Sequence, residues 1–479
     1  MKHFILSAAL LVATSASVSA KTNTPKVMAN GYPYTQVPFT SVKMVHNSFW
    51  GARLQAAREV TVPLAFSKCE SEHRYKNFDM AACTLKHPGH AGLQTPEWDV
   101  AKFMGFSFDD TDVYKTIEGA SYILQTYPDK KLKAYIDSVL NVVGAAQEPD
   151  GYLYTARTIN PEHPHAWSGK KRWEKEEDLS HELYNLGHMV DAACAHYQAT
   201  GSHKFLDIAR RYADCVCREV GSESGQATVV PGHQIAEMAL ARLYTLTGEK
   251  RYLDEAKYLL DFRGKTHIRQ EYSQSHKPIL DQDEAVGHAV RAGYMYAGIA
   301  DIAALTHDSA YIRMIDRIWQ NIIGKKVEAD LAANKGYLPV KNIKKGDVVR
   351  IHFDMPVRTV VANQNVKDDE GRVAVERGPI VYCAEAADNQ GEPVLRAVMN
   401  KQPKFTVVND YKVENTETAG APSFAVKAIT TQAQMLEENA DGVAVKSQKL
   451  TFIPYYAWNH RGAGEMNVWF VQSLKMLDK

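Results

Sequence analysis

Three short segments place a histidine where a helix would begin or a tight turn would end. They are Ser180-His181-Glu182-Leu183-Tyr184-Asn185-Leu186-Gly187-His188, Pro231-Gly232-His233-Gln234 and Gly287-His288-Ala289-Val290-Arg291. His181 and His188 lie seven apart, two helical turns, and so share a face. A neutral imidazole carries one donor and one acceptor nitrogen, which suits it to gripping hydroxyl groups such as those of a sugar. Singly, each histidine reads more readily as a satisfied structural residue than as a ligand. Three of them on successive helix starts point to a shared pocket. His181, His233 and His288 could in principle also form a zinc site, but H-E-x-x-H spacing is absent, and a helix sends adjacent side chains at 181 and 182 apart. Glu118, Glu182, Glu237 and Glu284 are all candidates for a hydrolytic carboxylate pair, and spacing alone does not choose among them. Asp109, Asp110 and Asp112 open a helix, where negative charge is favoured by the helix dipole with no function required. Gln147-Glu148-Pro149-Asp150-Gly151-Tyr152-Leu153-Tyr154 is a turn flanked by aromatics, with Trp167 and Trp173 nearby; such rings stack on sugars or simply pack.

The elements that must carry these residues are helices. From about 110 to 325 apolar residues recur at i, i+3, i+4 and i+7, as in Ile117-Ala120-Ile123-Leu124 and Val290-Tyr294-Ile299-Ile302. Thr200-Gly201-Ser202-His203-Lys204-Phe205-Leu206 resembles Thr247-Gly248-Glu249-Lys250-Arg251-Tyr252-Leu253 and Thr306-His307-Asp308-Ser309-Ala310-Tyr311-Ile312, at intervals of 47 and 59 residues. Those intervals hold two helices each, the mark of stacked helical hairpins. The expectation is an α/α toroid whose inner helix ends ring a pocket; a flat helical solenoid is the alternative. After Lys326 the texture becomes β-rich, through Arg372–Tyr382 and Val468–Val471, and reads as a sandwich. The fold class expected is mainly α with β: an (α/α)6-barrel-type helical domain, incomplete, followed by a β-sandwich region.

Lys+Arg and Asp+Glu both number 56, so the formal net charge is zero, and no basic run suggests nucleic acid or an anionic membrane as a partner. Phe4 to Ala13 is an apolar run behind Lys2, and Val18-Ser19-Ala20 offers small residues for cleavage, so residues 1–20 read as an export signal and the chain as secreted or periplasmic. The six cysteines lack both the spacing of a structural zinc site and that of a disulfide scaffold.

Several motifs together resemble glycoside hydrolase family 127, or its neighbour family 146: Phe49-Trp50-Gly51-Ala52-Arg53-Leu54, Asp110-Thr111-Asp112-Val113-Tyr114-Lys115, His181-Glu182-Leu183-Tyr184-Asn185, Val230-Pro231-Gly232-His233-Gln234 and Ala285-Val286-Gly287-His288-Ala289-Val290-Arg291. The C-terminal region adds Arg377-Gly378-Pro379-Ile380-Val381-Tyr382 and Ile453-Pro454-Tyr455-Tyr456-Ala457-Trp458. The resemblance implies an (α/α)6 barrel with β-sandwich domains and retaining, exo-acting removal of β-L-arabinofuranosyl units from arabinose-containing plant glycans. It implies His181, His233 and His288 at the sugar, with Tyr184 and Asp112 from the same motifs as further binding candidates. It also implies a zinc-held cysteine thiolate as nucleophile and a glutamate as acid. Here the sequence departs from the family. The Gly-Glu-Ala-Phe segment, the E-x-C segment and the adjacent cysteine pair that would supply these groups are not found. The expectation is an internal deletion after Lys326, with no catalytic residue, metal ligand or zinc in this chain and little or no hydrolysis. The domains are then 1–20 as signal, 21–326 as a truncated barrel, 327–371 as the remnant of a first sandwich and 372–479 as the C-terminal sandwich. About nine long helices are readable over 50–325, where a six-hairpin ring needs roughly twelve, so apolar stripes should be left uncovered. Two rival readings are a sugar-binding protein without catalysis and a helical scaffold of a glycan-use system.

Overall fold

The computed structural model describes residues 37–46, 48–87, 103–323, 342, 344, 348, 354–363, 366–414, 423–439 and 442–473. The proposed signal, residues 1–20, and the junction at Lys326–Val327 lie outside the described residues. The chain divides into two compact units, Met1–Leu338 and Pro339–Lys479.

The first unit is built from helical hairpins. A continuous helical run of α1 (Phe49–Ala56), a π turn (Ala57–Thr61) and α2 (Val62–Ser71) folds back on α3 (Arg74–Lys86). Then come α4 (Asp110–Thr126) with α5 (Lys130–Ala145), and, past the single turn α6 (Thr155–Thr158), α7 (Glu182–Thr200) with α8 (Lys204–Glu219). The last pairs are α9 (Ala236–Thr247) with α10 (Lys250–Asp261), and α11 (Ala289–Thr306) with α12 (Ser309–Asn321). Helices α2, α4, α7, α9 and α11 pack one on the next as an inner row, with α3, α5, α8 and α10 behind them. Inner α7 is the most enclosed: Leu183, Leu186, Met189 and Val190 are fully buried, each worth about 1.5–3 kcal/mol relative to exposure.

The three repeated turns do one job three times. In each, a threonine hydroxyl donates to a carbonyl four residues back and accepts from the backbone N–H two residues on (Thr200, Thr247 and Thr306). The following aromatic, Phe205, Tyr252 or Tyr311, is fully buried and anchors the outer helix. Five hairpins lie among the described residues, and the inner helices at the two ends, α2 and α11, share no packing like that between the others. The end hairpins accordingly leave Trp50, Leu64, Val290 and Trp319 at least half exposed.

The second unit is a β-structure of β1 (Val357–Val361), β2 (Arg372–Arg377), β3 (Ile380–Glu385), β4 (Ala397–Met399), β5 (Thr406–Val413), β6 (Phe424–Asn439), β7 (Gly442–Pro454), β8 (Met466–Asn467) and β9 (Phe470–Val471). Strands β2, β9, β4, β6, β7 and β3 pair in that order, and β3 pairs again with β2, so the circuit closes. Alternate residues line its interior, among them Val373, Val375, Tyr382, Ile429, Leu450 and Phe452. On the opposite face Cys383, Val426, Ala428 and Ile453 form a second cluster. The boundary expected between residues 371 and 372 is corrected by the pairing. β1 lies against β2 from Val357↔Arg377 to Val361↔Val373, so the described strand before 372 belongs to the same sheet as those after it.

Candidate functional site

The segments ahead of three inner helices meet at one end of the helical unit, and each is held by buried polar groups. His181 precedes α7 with φ 65°, a left-handed conformation that costs a non-glycine residue about 1–3 kcal/mol. Two buried carboxyls fix this turn. Glu176 Oε2 accepts from the Glu182 backbone N–H at 2.7 Å and from Ser180 Oγ at 3.0 Å. Glu182 accepts from Tyr152 Oη at 2.6 Å and from the Trp173 backbone N–H at 3.0 Å. Burial, then the neighbouring charge of Glu182, pushes the Glu176 carboxyl well up.

The His233 segment runs against this turn. A Cβ at Gly232 would lie 2.6 Å from Glu176 O and 2.9 Å from Asp178 O, so only glycine permits the approach. Fully buried Arg263 donates to Pro231 O at 2.8 Å and to Ser273 O at 3.0 Å, and Arg291 donates to Gly232 O at 2.8 Å. His288 caps α11: its Nδ1 accepts from the Arg291 backbone N–H at 3.3 Å.

The rings form a connected array. His233 lies 6.0 Å from His181, 5.7 Å from His288 and 4.6 Å from Tyr184, measured between centroids. His188 lies 4.5 Å from Tyr184 and 5.8 Å from Tyr294. Tyr272 closes the far side, 5.4 Å from His288, with Arg291 stacked 4.4 Å over it. Tyr184 Oη accepts from Lys115 Nζ at 2.7 Å. Burial pushes His181 down to about 4, His233 to about 3 and His188 to about 2, with nearby positive groups acting in the same direction. All three are neutral at neutral pH.

The hydrogen bonds fix the tautomers. A carbonyl oxygen only accepts, so Nδ1 of His181 carries its proton toward Leu179 O (2.5 Å), and Nδ1 of His233 toward Gln234 O (2.9 Å). Each then presents a bare Nε2 acceptor. His288 accepts at Nδ1 and so presents an Nε2–H donor. The array therefore offers two acceptors and one donor.

Of the residues expected at a site, His181, Tyr184, His233 and His288 are brought together. Burial pushes the Tyr184 hydroxyl up, and Asp112 lies near enough for its charge to add to that; it accepts from Arg74 Nε at 2.9 Å and its side chain is 45% exposed. Glu182 is locked as described, and Glu237 pairs with Arg263 out of solvent. Glu118 accepts from Tyr122 Oη at 2.8 Å beside Arg242, and Glu284 is exposed. His188, Tyr294 and Tyr272 belong to the array without having been singled out as binding residues. The spacing 181, 184, 188 on one helix face was the available signal for His188. Tyr294 was hidden in an apolar stripe.

The residues that could hold zinc do not fit a zinc–thiolate centre. Among the described residues, one group of three metal-capable side chains has its ligand atoms within 4.8 Å of one another: Asp150, Cys215 and Glu219. Arg172 already fills it, with Nη1 at 2.6 Å from Asp150 Oδ2, 2.7 Å from Glu219 Oε1 and 3.9 Å from Cys215 Sγ. Burial, with Glu219 beside it, pushes the Cys215 thiol up to about 12.

Known proteins bear on this geometry. A family model described as β-L-arabinofuranosidase, GH127 catalytic domain, matches residues 41–329, and one for the family 127 C-terminal domain matches 357–471. The non-reducing end β-L-arabinofuranosidase of Bifidobacterium longum subsp. longum is 36% identical over 280 residues, 54% of this chain and 41% of that protein, so the match spans less than half the relative's length. A solved GH127 β-arabinofuranosidase superposes with a TM-score of 0.76 at 40% identity, over 93% of this chain and 99% of that one. A GH127 β-L-arabinofuranosidase from Geobacillus stearothermophilus T6 superposes with a TM-score of 0.66 at 23% identity, over 88% and 99%, and shares the fold.

Proposed function

The chain belongs to glycoside hydrolase family 127, and from that membership we propose that its histidine array receives the β-L-arabinofuranosyl end of a glycan. The observation that carries this reading is the set of three imidazoles from successive inner-helix starts, each within about 6 Å of the next. Their fixed tautomers offer two acceptors and one donor to a sugar's hydroxyls, and Tyr184, Tyr272 and Tyr294 supply apolar walls. The neutral state of His181 and His233 spares the pocket two buried charges.

Hydrolysis is a separate matter. The buried glutamates nearest the histidine segments, Glu176, Glu182 and Glu237, are committed to holding those segments. The sequence has no adjacent cysteines and no E-x-C segment. We therefore propose that this chain binds the sugar and turns it over little or not at all. The apolar run at residues 4–13 supports export, and so a glycan met outside the cytoplasm. Calorimetric titration with methyl β-L-arabinofuranoside tests binding, and its absence at millimolar ligand would sink the pocket. Release of phenol from an aryl β-L-arabinofuranoside tests turnover, and rates typical of a glycosidase would overturn the second proposal.

A further inference from the structure

A strip of aromatic rings continues outward from the histidine array, and the array's own chemistry does not use it. Phe108 lies 5.1 Å from His181 and 6.4 Å from Tyr184, centroid to centroid. Phe106 stacks on Phe108 at 5.4 Å with only 5° between the planes, and Trp167 lies 5.5 Å from Phe106 and 6.3 Å from Phe108. Phe106 is 54% exposed. A bare phenyl ring forgoes about 1.5–3 kcal/mol of burial, so exposed Phe106, backed by half-buried Phe108 and Trp167 at the rim of a polar pocket, offers a surface to an apolar face.

The strip is held still. Phe106 N–H donates to Asp109 Oδ2 at 2.8 Å, Asp109 N–H donates to Phe106 O at 2.9 Å, and Asp109 is ion-paired with Arg74 at 3.0 Å. Trp167 N–H donates to His165 Nδ1 at 3.2 Å. The two phenylalanines come from the turn before α4 and the tryptophan from the segment before α7.

We propose that Phe106, Phe108 and Trp167 form a second subsite, which stacks on the sugar residue linked to the one held by the histidines. This rests on the reading of the array as an arabinofuranosyl pocket. The occupant follows from continuity: Phe108 touches His181 on one side and Phe106 on the other, so the strip begins one ring away from the pocket. The C–H face of a sugar ring covers an aromatic plane while its hydroxyls stay in water. Among the described residues no Lys or Arg lies over a ring of the strip, so a neutral saccharide is favoured over an ionic group.

The test is calorimetric titration of the full chain with methyl β-L-arabinofuranoside and with a disaccharide of two β-L-arabinofuranosyl units. The chain is compared with Phe106→Ala and, separately, Trp167→Leu. The unaltered chain should bind the disaccharide more tightly. Each variant should weaken disaccharide binding by about three- to tenfold and leave the monosaccharide unchanged. Equal affinity for the two ligands in the unaltered chain, or variants that weaken both alike or neither, overturns the subsite while leaving the pocket standing. No binding of either ligand overturns the pocket, and the subsite with it. Circular dichroism of the two variants separates loss of the strip from loss of the fold.

Discussion

Arg263 and Glu237 meet at 3.2 Å with both side chains closed off from solvent, and together they hold the turn that carries His233. Arg263 reaches Pro231 O while Glu237 Oε2 accepts from the Ile235 backbone N–H at 3.2 Å, so the pair clamps both sides of the histidine. Glu237→Ala strands a buried guanidinium and should destabilise the chain by about 3–5 kcal/mol. The urea midpoint measures this. A shift under a quarter of that size would mean that water or a backbone carbonyl replaces the carboxylate.

The lowered histidines set the pH range of binding. His181 and His233 are neutral in the fold down to about 4 and about 3, whereas exposed imidazoles would charge near 6.5. Folding therefore gains stability from them above the unfolded value, and loses it as pH falls through the folded values. Affinity for methyl β-L-arabinofuranoside should stay level from neutral pH down to about 5 and fall below about 4. Titrations across that range check it; a midpoint near 6.5 would place these rings in water.

Much of this was legible in the chain. The Thr-x turns at 200, 247 and 306 repeat because each must end an inner helix and seat an aromatic anchor on an outer one, a purely local demand. The histidines at 181, 233 and 288 were legible for the same reason, since each sits at a helix start. What escaped depended on contacts made across the fold. Glu182 and Glu237 were two of four candidate carboxylates that spacing could not sort; their partners Tyr152, Trp173 and Arg263 come from other segments of the chain. Asp112 gains an ion pair with Arg74 from another helix, a partner that local spacing does not foretell. Tyr294 obeyed a core periodicity, yet its position on α11 turns it toward His188 and His233. The strand at 357–361 was cut from its neighbours because pairing with 372–377 leaves no mark on composition.

Arg172 is the hub of a second clamp. It joins Glu148 at 2.6 Å, Asp150 and Glu219, and stacks 4.2 Å over Tyr152, the residue whose hydroxyl holds Glu182. The groups are partly solvated, so Arg172→Met should cost less than a fully buried pair, about 1–3 kcal/mol. Because the guanidinium fills the only three-ligand cluster among the described residues, micromolar zinc should leave the melting temperature of the unaltered chain where it is. A rise of several degrees on adding zinc would show that metal displaces the arginine.

Glu255 gives a slope of opposite sign to the histidines. It is 7% exposed, its Oε1 has no hydrogen-bond partner, and burial alone pushes its carboxyl up to about 8. In the unfolded chain it should titrate near its ordinary value of about 4.3. The raised folded value means that its contribution to stability is complete below about 4.3 and is lost as pH rises through about 8. Between those limits the folded chain holds a proton that the unfolded chain has released, which costs about 1.4 kcal/mol per pH unit. Glu255→Gln removes that titration. Its stability relative to the unaltered chain should therefore climb steadily from pH 5 to pH 8, whatever fixed offset the amide introduces. Urea unfolding of the two proteins at matched pH values reads the difference directly. A difference that stays constant with pH would mean that Glu255 is already charged in the fold, and that water or a cation reaches the helix face where the carboxyl sits.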